Sequence, residues 1–147
     1  MQTNQQFAVS VHVLTVLAAY PDKPVTSETI AESVDTNPVV IRRVMGHLRK
    51  HGLVDSRPGT SGGWRLRRQA AEISLSEVYR IVSHEDVLGM HSHPNPDCPI
   101  GSQIQGALGP IFGAAQTAME TALEQYTVAD VLEEVRNEKV TNKEVLQ

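Results

Sequence analysis

Apolar residues recur at helical spacing from the start of the chain. Phe7, Val11, Leu14 and Ala18 share one face, and Val9, Val13, Val16 and Leu17 widen it, which predicts a helix over residues 4–20. Thr3 and Gln6 stand at capping-box spacing, and the segment from Pro21 to Pro24 ends the helix in a loop. A shorter helix is predicted over Ser27–Val34, capped by Thr26 or Ser27, with Ile30, Ala31 and Val34 on its buried side. The turn Asp35-Thr36-Asn37 leads to Pro38, which suits a first helical turn, with Thr36 or Asn37 as the cap. This third helix runs to about His51 on the apolar positions Val40, Ile41, Val44, Met45 and Leu48, and Gly52 is its stop.

After Gly52 the period changes from helical to alternating. Leu53–Ser56 and Trp64–Arg67 predict two strands around a turn-rich tip, Arg57-Pro58-Gly59-Thr60-Ser61-Gly62-Gly63. Ser74 and Glu77 open a further helix to about Ser83, and the proline-rich stretch HEDVLGMHSHPNPDCP over 84–99 predicts a loop. A long amphipathic helix follows, from about Gly101 to Gln125, with a stripe of Ile104, Leu108, Ile111, Ala115, Met119 and Leu123; Gly109-Pro110 is expected to kink it. Thr127 and Asp130 cap a last helix over 128–137, and the polar tail after Lys139 is expected to fray. The fold class is therefore mainly α with a small β-hairpin, a winged helix-turn-helix followed by a long C-terminal helix. It divides into a DNA-binding unit over 1–83, a loop over 84–100 that is a candidate sensor region, and a C-terminal unit over 101–147 holding the long helix, the last helix and the tail.

Composition is that of a globular chain, 40% hydrophobic and 20% charged; only 4% is aromatic, so the core must be aliphatic. No apolar run approaches the roughly 20 residues a bilayer span needs, and MQTNQQF has no basic-then-apolar leader pattern, so a cytoplasmic address is expected. The net charge of -4 argues weakly against nucleic acid, but its distribution reverses that argument. Between Asn37 and Arg68 lie 8 of the 13 Lys and Arg residues and a single acid, Asp55, while 16 of the 17 acids lie elsewhere. A segment of +7 inside a remainder of -11 is an electrostatic footprint for DNA.

Two helices joined by a tight turn and followed by a basic hairpin suit DNA physically, because an α-helix fits the major groove and its first turns meet base edges. Thr36, Asn37, Val39, Arg42 and Arg43 occupy those turns, and either arginine can pair in bidentate fashion with guanine. Thr36 and Asn37 also offer caps and backbone amides for a phosphate. In the hairpin, Gly59, Gly62 and Gly63 let the backbone approach the duplex, and Arg57 or Arg65 reaches a minor groove or phosphates. Arg49, Lys50, Arg67 and Arg68 fit phosphate contacts, which position without specifying, and Trp64 fits a wing anchor better than a base-stacking residue.

Taken together, the N-terminal helix, TNPVVIRRVMGHLRKHGLVDSRPGTSGGWRL, ISLSEVYR and the long helix resemble the Rrf-two family of bacterial winged-helix transcription regulators, relatives of IscR, NsrR and CymR. Gly62-Gly63-Trp64 and LRKHGLV are the most specific matches; NPVVIRR and GGW look most like the YwnA-type branch. The resemblance implies a homodimeric regulator, acting as a repressor, in which Ile104, Leu108, Ile111, Ala115, Met119 and Leu123 face the partner copy. Two recognition helices would then lie about one DNA turn apart. Cluster-binding members use three cysteines in the loop before the long helix. Only Cys98 stands here, so neither an iron–sulfur cluster nor another cofactor is expected. Arg42 falls near a position where IscR-like members carry an acidic base-reading residue, so the operator sequence should differ.

The signal is open among three readings. Cys98 is a candidate redox sensor, although neighbouring Asp97 disfavours the thiolate. His91, His93, Asp97 and Cys98 have metal-ligating chemistry at a spacing that matches no strong motif, so no metal site is assigned. The loop is otherwise a lid over an organic effector, or there is no effector. The chain has no Gly-x-Ser-x-Gly elbow, His-Glu-x-x-His helix, phosphate-cradling loop or dinucleotide fingerprint, so it is not expected to be an enzyme. His12, His47, His51 and His84 are most simply surface or helix residues. The alternatives are a winged-helix protein-interaction module, which would need no +7 segment, or a thiol-based redox sensor whose DNA role is secondary.

Overall fold

The computed structural model describes the backbone of residues 3–145 and the side chains of residues 5–138. Helices α1 (Thr3–Ala19), α2 (Ser27–Val34) and α3 (Pro38–Lys50) lead into strands β1 (Val54–Arg57) and β2 (Gly63–Leu66). A short 3₁₀ turn at Ala70–Glu72 precedes α4 (Leu75–Val82), α5 (Ile104–Glu124) and α6 (Val128–Val145). The Thr3–Gln6 cap falls outside the described side chains.

Local chemistry sets each boundary. Thr26 caps α2, its Oγ1 accepting from the Thr29 amide at 3.1 Å. Asp35 closes that helix in the left-handed region at φ 62°, a conformation that Asp tolerates better than most residues. Asn37, rather than Thr36, caps α3, with Oδ1 accepting from the Val39 amide at 2.8 Å and Pro38 filling the first turn. Beyond α3, Gly52 takes φ 77° and its amide donates to Arg49 O. Ser74 caps α4 through the Glu77 amide at 3.1 Å. Thr127 and Asp130 form a reciprocal box at the start of α6.

The core is aliphatic, as the scarcity of rings requires. Val13, Leu14 and Leu17 of α1 meet Ile30 of α2, Ile41, Met45 and Leu48 of α3, then Leu53, Val54, Ile73 and Val78. The hairpin is antiparallel, with Val54 opposite Leu66 and Arg57 opposite Gly63. Each strand lies one residue from its predicted position. Leu53 is held by the end of α3, its amide donating to Leu48 O at 3.1 Å, so β1 begins after it. Trp64 anchors the wing. Its amide and carbonyl exchange hydrogen bonds with Val25, both at 2.8 Å, and its indole N–H donates to Ser27 Oγ at 3.0 Å.

The C-terminal part differs most from the sequence-based expectation. α5 begins at Ile104 instead of Gly101, and Pro110 is accommodated within one continuous helix. α6 continues to Val145, past the predicted end at 137 and through most of the expected frayed tail. No Gly or Pro lies between residues 128 and 147 to stop it. Its first residue, Val128, is fully buried, and α6 packs on α1 and the 3₁₀ turn. Leu75 N–H to Tyr126 O and Val128 N–H to Ile73 O stitch the segment before α6 to the start of α4. No helix among the described residues is long and apolar enough to cross a membrane.

Two glycine substitutions should move stability in opposite directions. At Gly63, φ is 148° and an added Cβ would meet Val25 O at 2.6 Å. Gly63→Ala is expected to lose about 1–3 kcal/mol in urea unfolding through wing displacement and strain. Gly46, inside α3 with open space around its would-be Cβ, should gain roughly 0.5–1 kcal/mol on conversion to Ala.

Candidate nucleic-acid interface

α3 has two chemically distinct sides. Ile41, Met45 and Leu48 are fully buried, which turns Val39, Arg42, Arg43, Arg49 and Lys50 outward. Val39 is 56% exposed at the tip of the helix. Thr36 is half-buried and Asn37 exposed. The Asn37 side-chain oxygen is committed to the cap, so this residue shapes the start of α3.

The arginines of the basic segment have different surroundings. Arg42 donates to Glu28 Oε1 of α2 at 2.5 Å, with both side chains more than half exposed. An exposed pair of this kind adds little stability, but it orients the guanidinium across the two helices while most of its five N–H donors stay free. Sequence reasoning missed Glu28, because no local pattern links residues so far apart in the chain. Arg43, Lys50 and Arg57 are exposed, with no ion-pair partner among the described residues. Arg49 lies 5.8 Å over the Trp64 ring and donates to Ser56 Oγ at 3.2 Å, joining α3 to the hairpin. Arg65 is half-buried, its Nε enclosed without a hydrogen-bond partner. Arg67 sits 3.9 Å from Asp55.

Arg68 departs from its expected role at phosphate. It donates to Glu77 Oε1 at 2.6 Å and to Glu72 O at 2.8 Å. It therefore clamps the start of α4, and Glu77 spends its carboxylate there instead of completing the capping box. At the hairpin tip, Gly59 adopts φ 101°, and a Cβ on Gly62 would lie 1.9 Å from Arg57 O. The tight tip thus requires glycine at these positions.

The loop before α5 is tethered to that helix. Val87 N–H donates to Gln116 Oε1 at 3.1 Å, Gln105 donates to His91 O at 2.7 Å, and Gln116 also donates to Tyr79 Oη at 3.1 Å. Among the described residues, no three His, Cys, Asp or Glu side chains stand arranged as a ready metal-ligand set, His91, His93, Asp97 and Cys98 included. Cys98 is half-buried, and amides of Gly101 and then Ile100 hold its thiol below the usual range. These backbone hydrogen bonds act on the anion directly and lower the thiol from its ordinary value, the direction opposite to the one expected from neighbouring Asp97. On α5, Ile104, Leu108, Met119 and Leu123 are half-buried, while Ala115 and Ile111, the latter 62% exposed, face solvent.

The Rrf2 family model, described as an iron-dependent transcriptional regulator, matches residues 3–134. The chain is 42% identical over 130 residues to the protein named HTH-type transcriptional regulator YwnA of Bacillus subtilis, spanning 88% of this chain and 96% of that one. A crystal structure described as a transcriptional regulator from Lactobacillus plantarum aligns with a TM-score of 0.77 at 25% identity, covering 97% of this chain and 98% of the other. IscR of T. potens shares the fold, with a TM-score of 0.70 at 22% identity, covering 92% and 88%. The residues here do not fit an iron centre held by several thiolates, because Cys98 is the one cysteine in the sequence.

Removing the Arg68 clamp tests its structural role. Arg68→Ala is expected to lower stability by roughly 1 kcal/mol in urea unfolding, the scale of a half-exposed charge-assisted bond. A loss confined to DNA affinity, with unfolding unchanged, would instead return Arg68 to the interface.

Proposed function

The chain belongs to the Rrf2 family of transcriptional regulators, and on that premise we propose that it reads duplex DNA as a homodimer in the cytoplasm and represses by occupying its operator. The observation that carries this reading is the division of α3 into a buried aliphatic side and an outward side of Val39, Arg42, Arg43 and Lys50, beside a wing that carries Arg57. Val39 offers a methyl-sized contact for thymine, Arg42 and Arg43 offer forks for guanine O6 and N7, and the wing offers cationic contacts to the backbone. Thr36, Asn37, Gly59, Gly62 and Gly63 set how closely the chain approaches the duplex. Arg49 contributes by holding the wing to the helix, and Arg65 by its place on the strand beside the tip.

Dimerisation is supported by α5. Its 21 residues include five Ala, two Leu and two Ile, yet a single chain fully buries none of them. A contiguous apolar face of this kind marks an interaction surface. A second copy covering the stripe from Ile104 to Leu123 would bury it symmetrically and set two copies of α3 against successive turns of one DNA face.

Arg43→Ala and Arg42→Ala should each cost about 1–3 kcal/mol on the selected operator and relax base preference. Fluorescence anisotropy against selected and scrambled duplexes, repeated across salt concentrations, measures both effects. Equal affinity for both duplexes in the wild-type chain would sink the sequence-reading claim. Ile111→Glu places a charge in the α5 face and is expected to shift the chain toward monomer in sedimentation equilibrium, with operator affinity falling in parallel. An unchanged mass would show that this face is not the dimer contact.

A further inference from the structure

A groove of about 580 Å3 lies where α3 meets α1 and the end of α4, a volume within the roughly 300–1,000 Å3 typical of small-molecule sites. Val40 and Val44 of α3 line it together with Val82 of α4 and Ser10 of α1. Val82 and Ser10 are buried and the other two half-buried, so the floor is apolar with one hydroxyl. The walls are joined beforehand: His47 Nε2 donates to Ile81 O at 2.9 Å and ties α3 to α4.

The rim is cationic. Arg43 and Lys50 line it, exposed and with no ion-pair partner among the described residues. Arg42 and Arg49 border it too, but Glu28 and Ser56 already engage them. No Asp or Glu lines this groove, although the chain carries a net charge of -4. The grooves along α6, beside the loop and between α4 and α5 each hold at least two carboxylates. Glu85 and Asp86, which follow His84 in sequence, line the loop groove instead. Uncompensated cations above an apolar floor suit an organic anion. The floor takes a hydrocarbon body, and the Arg43 fork takes a carboxylate in two parallel N–H···O bonds.

We propose that this groove binds an organic carboxylate with an apolar body, and that its occupation and DNA reading exclude one another. Arg43 stands on both surfaces. A guanidinium fork closed on a carboxylate cannot also meet guanine O6 and N7, and the bound anion adds negative charge where the duplex would approach. Such a ligand is therefore a releasing signal. The exclusion rests on the reading of α3 given above; the binding of the anion does not.

The test uses the full chain and 2-naphthoate as the probe, titrated by calorimetry beside its neutral counterpart 2-naphthamide and beside acetate. Saturable binding of one 2-naphthoate per chain is expected. The amide, which loses the charge, and acetate, which loses the apolar body, should each bind weaker by about tenfold or more. His84 is exposed and lines the groove, so His84→Glu sets a carboxylate at the rim and should weaken binding several-fold. His91→Glu, on the loop outside the groove, should leave it unchanged, and circular dichroism checks the fold of both. Absence of saturable binding, equal binding of the amide or of acetate, or loss in the His91 variant instead overturns the site. In a second arm, with ionic strength held constant by acetate, 2-naphthoate should lower operator affinity several-fold in the wild type and less in His84→Glu. Binding without that loss overturns the exclusion, whereas a wild type with no selective DNA binding refutes the DNA reading and leaves the titration standing.

Discussion

The backbone pairing of Val25 with Trp64 fixes the wing relative to the reading helix, and much of the site geometry depends on it. Two N–H···O bonds of 2.8 Å join the segment before α2 to β2, and the indole donates to Ser27 one residue into that helix. Arg49 then reaches from α3 over the same indole to Ser56 on β1. The wing is thus tied to both α2 and α3. Gly63 makes the approach possible, because no side chain fits between it and the Val25 carbonyl.

This scaffold divides one basic segment between two jobs. Arg68 serves the fold through Glu77 and the Glu72 carbonyl, and Arg49 bridges helix and wing. Arg43, Lys50 and Arg57 remain exposed, and Arg42 is oriented by Glu28. A count of charge along the chain cannot separate these roles, because a positive side chain beside a carboxylate in space looks in sequence like one facing a phosphate. Glu28 lies 14 residues from Arg42, beyond any helical spacing.

The two C-terminal helices share an amphipathic pattern and differ in what covers them. α6 folds back on α1 and places Val128 in the core, whereas α5 leaves its apolar side chains at most half-buried. Gln116 bonds the loop at Val87 on one side and Tyr79 on the other, and Arg80 of α4 adds ion pairs to Glu120 and Glu124 of α5. The loop is therefore attached to α5 directly and, through Gln116, to Tyr79 of α4.

The sequence by itself marked most of the elements and narrowed the caps of α2 and α3 to two residues each, between which the structure selects Thr26 and Asn37. Helical spacing marked α1 to α4, Pro38 with Thr36 or Asn37 before it marked the start of α3, and the glycine-rich tip marked the hairpin, because these signals act within a few residues. The aliphatic core and the outward turn of Arg42 and Arg43 also followed from the period of α3. The tertiary structure alone decided which charges pair, that Arg68 holds α4, that backbone amides rather than Asp97 govern Cys98, and that His84 comes to His47. It also extended α6 to Val145, where no local stop signal exists and packing on α1 gives the helix a surface to follow. The physical reason is range: caps and periodicity are settled between neighbours in the chain, while ion pairs, thiol environment and histidine contacts are settled between residues that meet only after folding.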